Sequence, residues 1–121
     1  MSAAQELAER YVAVWNETDA AVRRKSIADL WTREGQHYAR TLEARGYDEL
    51  EKRITGSHEK NVLSGGYRFH ANRDAQALRD VVTFGWEMLP AAGGDVAASG
   101  SIVLVLDDQG RILSDYQFIS A

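Results

Sequence analysis

Val62-Leu63-Ser64-Gly65-Gly66-Tyr67-Arg68-Phe69-His70 is where the hydrophobic period of the chain changes. Before the glycine pair, apolar residues recur every three or four positions, the spacing of one face of a helix. Beyond it they recur every second position, the spacing of a half-buried strand. The alternating segments are Tyr67 to Asn72, Leu78 to Leu89, Val96 to Leu106 and Arg111 to Ser120. Their punctuation is legible: Pro90 to Asp95 carries a proline and two glycines, and Asp107-Asp108-Gln109-Gly110 has the chemistry of a tight hairpin with glycine at positive φ. The carboxyl half reads as an antiparallel meander.

Upstream, Leu7, Tyr11, Val14 and Trp15 mark one face of a first helix from Ala3 to Asn16. Thr18 or Asp19 can cap a second by accepting from its free amides, and that helix runs to about Trp31 with Ile27, Leu30 and Trp31 as its buried stripe. Arg23, Arg24 and Lys25 read as its solvated face. Glu34 and Gly35 end it, and a short strand from Gln36 to Arg40 turns His37 and Ala39 one way and Tyr38 the other. Arg45-Gly46 opens a third helix, with Asp48, Glu49 and Glu51 in the first turn, where the dipole favours negative charge. Leu50, Ile54, His58 and Val62 continue down one face. Helices first and strands after is an α+β segregation, unlike the βαβ alternation of dinucleotide folds.

The chain has 121 residues, room for one domain spanning 1–121. Its 45% hydrophobic content is enough to fill a core. A net charge of −4 gives no electrostatic reason to bind phosphate backbones. With no cysteine there is no disulfide, thiolate-bound metal or thiol nucleophile. No basic, apolar leader stands at the amino terminus, and the longest strongly apolar run, Ile102 to Leu106, falls far short of the roughly twenty residues of a membrane span. A cytoplasmic protein without nucleic-acid or membrane partners is expected.

The ordered set Tyr11-Val12-Ala13-Val14-Trp15-Asn16, Leu30-Trp31 with Glu34-Gly35, Arg45-Gly46, Phe84-Gly85-Trp86-Glu87-Met88 and Asp108-Gln109-Gly110-Arg111-Ile112 resembles the nuclear transport factor 2-like superfamily. Within it, the resemblance is to the polyketide-cyclase-like (SnoaL-like) proteins, over nearly the whole chain. It implies three amino-terminal helices packed in a strongly curved antiparallel sheet, a cystatin-like cone with a pocket at its open end. The superfamily hosts isomerases, cyclases, dehydratases and binding proteins, so fold alone leaves function open. Ketosteroid isomerase, a relative in that superfamily, needs a carboxylate base and a tyrosine with a protonated aspartic acid. Here Tyr11 occupies the tyrosine position, whereas Ala39 and Ile102 (or Ser101) stand where the two acids fall. That constellation is absent.

In the register the resemblance implies, His37, Phe84, Trp86, Asp115 and Gln117 face inward, joined from the helices by Tyr11, Trp15 and Trp31. His37 and Asp115 then form a candidate proton-transfer pair with Tyr11 as donor. Trp15, Trp31, Phe84, Trp86 and Gln117 form a candidate ligand-binding wall; for the tryptophans the plainer alternative is core packing. His58 reads as a core or rim histidine, His70 as exposed and Glu87 as outward. No histidine pair has metal-ligand spacing, so neither metal nor cofactor is expected. On the outer face Ile112, Tyr116 and Phe118 join Val81, Val103 and Val105, an apolar surface where a wet sheet should be polar. Such a surface suits a homodimer through the sheet. Two functional readings stand: a cofactor-free isomerase, cyclase or hydratase acting on a small apolar organic molecule, or a non-catalytic ligand-binding or adaptor domain.

Overall fold

The computed structural model describes residues 1–120. Helix α1 (Ala3–Asn16) is capped by Ser2, whose hydroxyl accepts from the Gln5 amide, and α2 (Ala20–Leu30) by Asp19, which accepts from the amides of Ala21 and Val22. Strands β1 (Trp31–Ala39) and β2 (Leu42–Arg45) form a hairpin before α3 (Gly46–Ser57), which continues into a π-helical segment, His58–Ser64. Five strands follow: β3 (Tyr67–Ala71), β4 (Gln76–Leu78), β5 (Val81–Pro90), β6 (Ala98–Leu106) and β7 (Ile112–Ile119). One sheet holds them all in the order β2-β1-β7-β6-β5-β3, with β4 also paired to β5. No helix among the described residues is long and apolar enough to cross a membrane.

The α+β architecture agrees with the sequence, and four local readings are corrected. The second helix stops at Leu30, and the strand expected at Gln36 begins at Trp31. Glu34 and Gly35 lie within that strand, at an irregularity between Trp31 and Gln36. A Cβ at Gly35 would stand 2.8 Å from the Trp31 ring, so this close approach requires glycine. Second, β1 pairs with β7 in parallel, which makes the sheet mixed. Third, Ile112 faces inward and is fully buried. The β6–β7 register shifts between Val105 and Leu106, because Leu106 pairs with Ile112 and Val105 with Ser114. Leu113 is therefore an extra residue, and the alternation inverts across it.

The fourth correction concerns Arg23, which is buried rather than solvated. It shares a helical face with Ile27 and Leu30, and its guanidinium donates to the Glu17 carbonyl (2.6 Å) and to the Thr55 hydroxyl (3.1 Å). Position dictated burial, and the long side chain carried its charge to acceptors. Arg24 and Lys25 are exposed as expected and pair with Asp48, Glu51 and Asp29. The core lies between the concave sheet and the helices, built from Tyr11, Trp15, Ile27, Leu50, Ile54 and Ile102 with their neighbours.

Candidate functional site

The parallel register of β1 and β7 pairs His37 with Asp115 and Ala39 with Gln117. Neighbouring side chains in register share a face, so His37 and Asp115 both enter the core, and both are fully buried. Oδ1 of Asp115 lies 2.5 Å from His37 Nδ1 and accepts from the Tyr11 hydroxyl at 3.0 Å; Oδ2 accepts from the Trp31 indole at 2.9 Å. A carboxylate removed from water is strongly disfavoured unless donors replace its hydration, and here three side chains do so.

Those donors come from α1, from the first residue of β1 and from its seventh. Burial, reinforced by the neighbouring Asp115, pushes the Tyr11 phenol well above the ordinary tyrosine value. Tyr11 therefore stays protonated, and its hydrogen bond is committed to Asp115.

The partners of His37 assign its tautomer. Nδ1 faces the carboxylate and carries the proton, while Nε2 accepts from Arg53 Nε at 3.3 Å. Arg53 projects from α3, half-buried, with its guanidinium 5.1 Å from the Trp15 ring centroid. Its Nη2 donates to Gln117 Oε1 at 3.2 Å. Burial lowers the Arg53 value, opposed by Tyr11 and Asp115. The result is a continuous line from Arg53 through His37 to Asp115, and from there to Tyr11 and Trp31.

Beside this line lies a cavity of about 10 Å³, room for a single water. Tyr11, Trp15, Phe69, Trp86, Ile102 and Gln117 line it with Val12. Of the residues expected as a ligand wall, Trp15, Trp86 and Gln117 reach it. Trp31 and Phe84 do not: the first serves Asp115, and the second packs edge-on to Tyr11 with centroids 5.7 Å apart. Trp86 also spans the sheet, donating from its indole to the Phe118 carbonyl at 3.3 Å. His58 is buried with Nδ1 3.1 Å from the Trp15 carbonyl, and His70 is exposed. Ala39 and Ile102, the two positions without acids, both face the core. A larger open groove of about 590 Å³ runs between α1 and β3, past Glu9, Asn16, Arg68 and His70, away from the His37–Asp115 pair. Among the described residues no group of three or more histidines or carboxylates has metal-binding geometry.

Arg53 is the site residue that the hydrophobic pattern did not reveal. A signal existed: it stands three positions after buried Leu50 and four before buried Ser57, on the flank of the inward stripe of α3.

With this geometry the fold is that of the nuclear transport factor 2-like proteins, the fold implied by the sequence resemblance. A protein from Agrobacterium tumefaciens, provisionally assigned as an isomerase of the SnoaL-like family, superposes with a TM-score of 0.88 at 24% identity, over 100% of both chains. An NTF2-like protein of unknown function from an Exiguobacterium species gives 0.71 at 16% identity, over 94% of this chain and 98% of the other. A provisionally assigned polyketide cyclase from Sinorhizobium meliloti gives 0.68 at 8% identity, over 93% of each. No family model and no curated protein matches the sequence.

Proposed function

We propose that this protein is a small-molecule-pocket protein of the SnoaL-like kind that transfers a proton without a cofactor, as an isomerase, cyclase or hydratase would. The observation that carries the reading is the orientation of His37. Asp115 fixes the proton on Nδ1, which leaves the Nε2 lone pair as base, facing the Arg53 guanidinium that donates to it. Asp115 holds the ring and compensates the charge that would form on it; Tyr11 and Trp31 hold Asp115. The provisional isomerase and cyclase assignments of proteins with this fold support the same chemistry.

A second reading is favoured by one observation, the cavity of about 10 Å³: a non-catalytic binding or adaptor domain whose cone is filled by its own side chains. The two separate on a proton-transfer probe. Exchange of the central methylene protons of acetylacetone into deuterium oxide, followed by NMR, is expected to exceed the buffer rate. His37→Gln should lower the excess by about 100-fold, the size of a lost general base. Equal rates in the wild type, the variant and buffer would leave the second reading in place.

A further inference from the structure

Arg53 differs from the other cations that approach carboxylates. Arg24 and Lys25, both more exposed, face Asp48, Glu51 and Asp29 directly. Arg53 is half-buried and makes no ion pair among the described residues. Its contacts are a neutral imidazole nitrogen, an amide oxygen and the face of Trp15. The nearby negative charge, on Asp115, is already occupied by three donors, and Arg53 reaches it only through His37. A partly desolvated cation with unspent N–H groups is a poor arrangement for stability alone.

We infer that Arg53 recognises the carboxylate of a small, flat organic acid at the open end of the cone. The guanidinium fork matches a carboxylate in geometry as well as charge. Gln117, whose Oε1 is turned to Arg53, has an amide nitrogen with no hydrogen-bond partner among the described residues, able to donate to the same group. Trp15, Phe69 and Trp86 supply an aromatic wall beside it for an unsaturated or aromatic body. This wall separates an organic acid from inorganic phosphate, which would present no surface to bury there.

The same arginine closes the site. Its hydrogen bond to Nε2 occupies the lone pair that a base would use, and it lies against Gln117 and the Trp15 ring, two residues that line a cavity too small for an organic molecule. A carboxylate draws the guanidinium away from His37, and that one movement makes room for the ligand and frees the base. Calling the ligand a substrate rests on the proton-transfer reading of His37; the binding does not.

The test uses benzoate, benzamide and inorganic phosphate as probes, read from the indole 1H–15N resonances of Trp15 and Trp86. Benzoate is expected to bind saturably and at least about tenfold more tightly than benzamide or phosphate, as a charge-assisted fork requires. Arg53→Gln should lose at least about tenfold in benzoate affinity, and Arg53→Lys, which keeps charge without the fork, should fall between. Lys25→Gln, which removes an exposed cation paired only with Asp29 and outside the site, should hold benzoate within about threefold, under 1 kcal/mol. Absence of saturable benzoate binding, equal binding of benzamide or phosphate, or unchanged affinity in folded Arg53→Gln would overturn the inference. Failure of acetylacetone exchange with benzoate binding intact would remove the catalytic reading and leave the anion site standing.

Discussion

Asp115 shows how much chemistry one buried carboxylate organises. Its two oxygens take hydrogen bonds from α1 and from the first and seventh residues of β1, so it joins three segments as well as orienting His37. Tyr11 is the partner whose contribution can be isolated by pH. Its folded-state value is raised well above the usual 10.0, so between those two values the unfolded chain binds fewer protons than the folded one. Stability must therefore fall as pH rises past about 10. Tyr11→Phe is expected to cost about 1 kcal/mol at neutral pH, the worth of one buried hydrogen bond. The gap should narrow above about pH 10, where only the wild type carries the linked proton. Urea unfolding of both proteins at neutral and alkaline pH measures this, and a gap independent of pH would contradict it. The His37–Asp115 pairing was legible in the sequence because period two fixes the inward face of a strand and the resemblance fixes which strands adjoin. Arg53 and Arg23 were not, because a pattern of residue types treats a charge as an outward mark. A long side chain lets the backbone position be inward while the charge finds its own partners.

Strand irregularities decide where the sequence pattern misleads. The three helices and the long strands β5, β6 and β7 could be read because each carries several turns or repeats of a single period, whereas the irregularity in the first half of β1 breaks its period. β2 and β4, of four and three residues, are too short to establish one. The extra residue at Leu113 inverts the face of everything before it in β7, which carried Ile112 from the expected outer surface into the core. Gly100 is the irregularity with the sharpest consequence. A Cβ there would fall 1.8 Å from the Phe118 carbonyl oxygen and 2.9 Å from the Trp86 indole nitrogen. The backbones of β6 and β7 approach so closely at this point that no side chain fits, and the Trp86 indole crosses the gap to Phe118. Gly100→Ala is expected to destabilise by about 3 kcal/mol, the upper part of the usual range for a forced overlap. The Trp86 indole resonance should shift with it. A denaturation midpoint and indole shift matching the wild type would show that the two strands need not approach at Gly100.

At the scale of the whole molecule, the order of helices and strands gave the α+β class and the family resemblance implied the cone, whereas the filling of its interior followed from neither. Composition counts aromatic residues without saying whether their volumes meet, and here they leave room for about one water. The outer surface follows from the register more directly. Cα partners Tyr38, Tyr116, Val103 and Thr83 form a row across β1, β7, β6 and β5, with the Tyr38 and Tyr116 rings stacked at 5.3 Å. Val81 pairs with Val105 in the adjoining row, and Phe118, opposite Ser101, is 57% exposed. With Ile112 inside, the strip remains apolar without it. We propose that a second copy of the chain covers this face, since a single-sided sheet otherwise presents polar residues to water. The expected particle is a dimer of about 27 kDa, twice the 13.5 kDa chain. Phe118→Asp should convert it to the monomer, because the carboxylate would enter a dry interface with no donor to replace its hydration. The same change in a monomeric protein would leave an exposed position exposed and alter stability by less than about 0.5 kcal/mol. Light scattering and unfolding measured together therefore decide the matter: wild-type monomers at micromolar concentration, or dimers that Phe118→Asp leaves intact, would rule out an interface centred on β7.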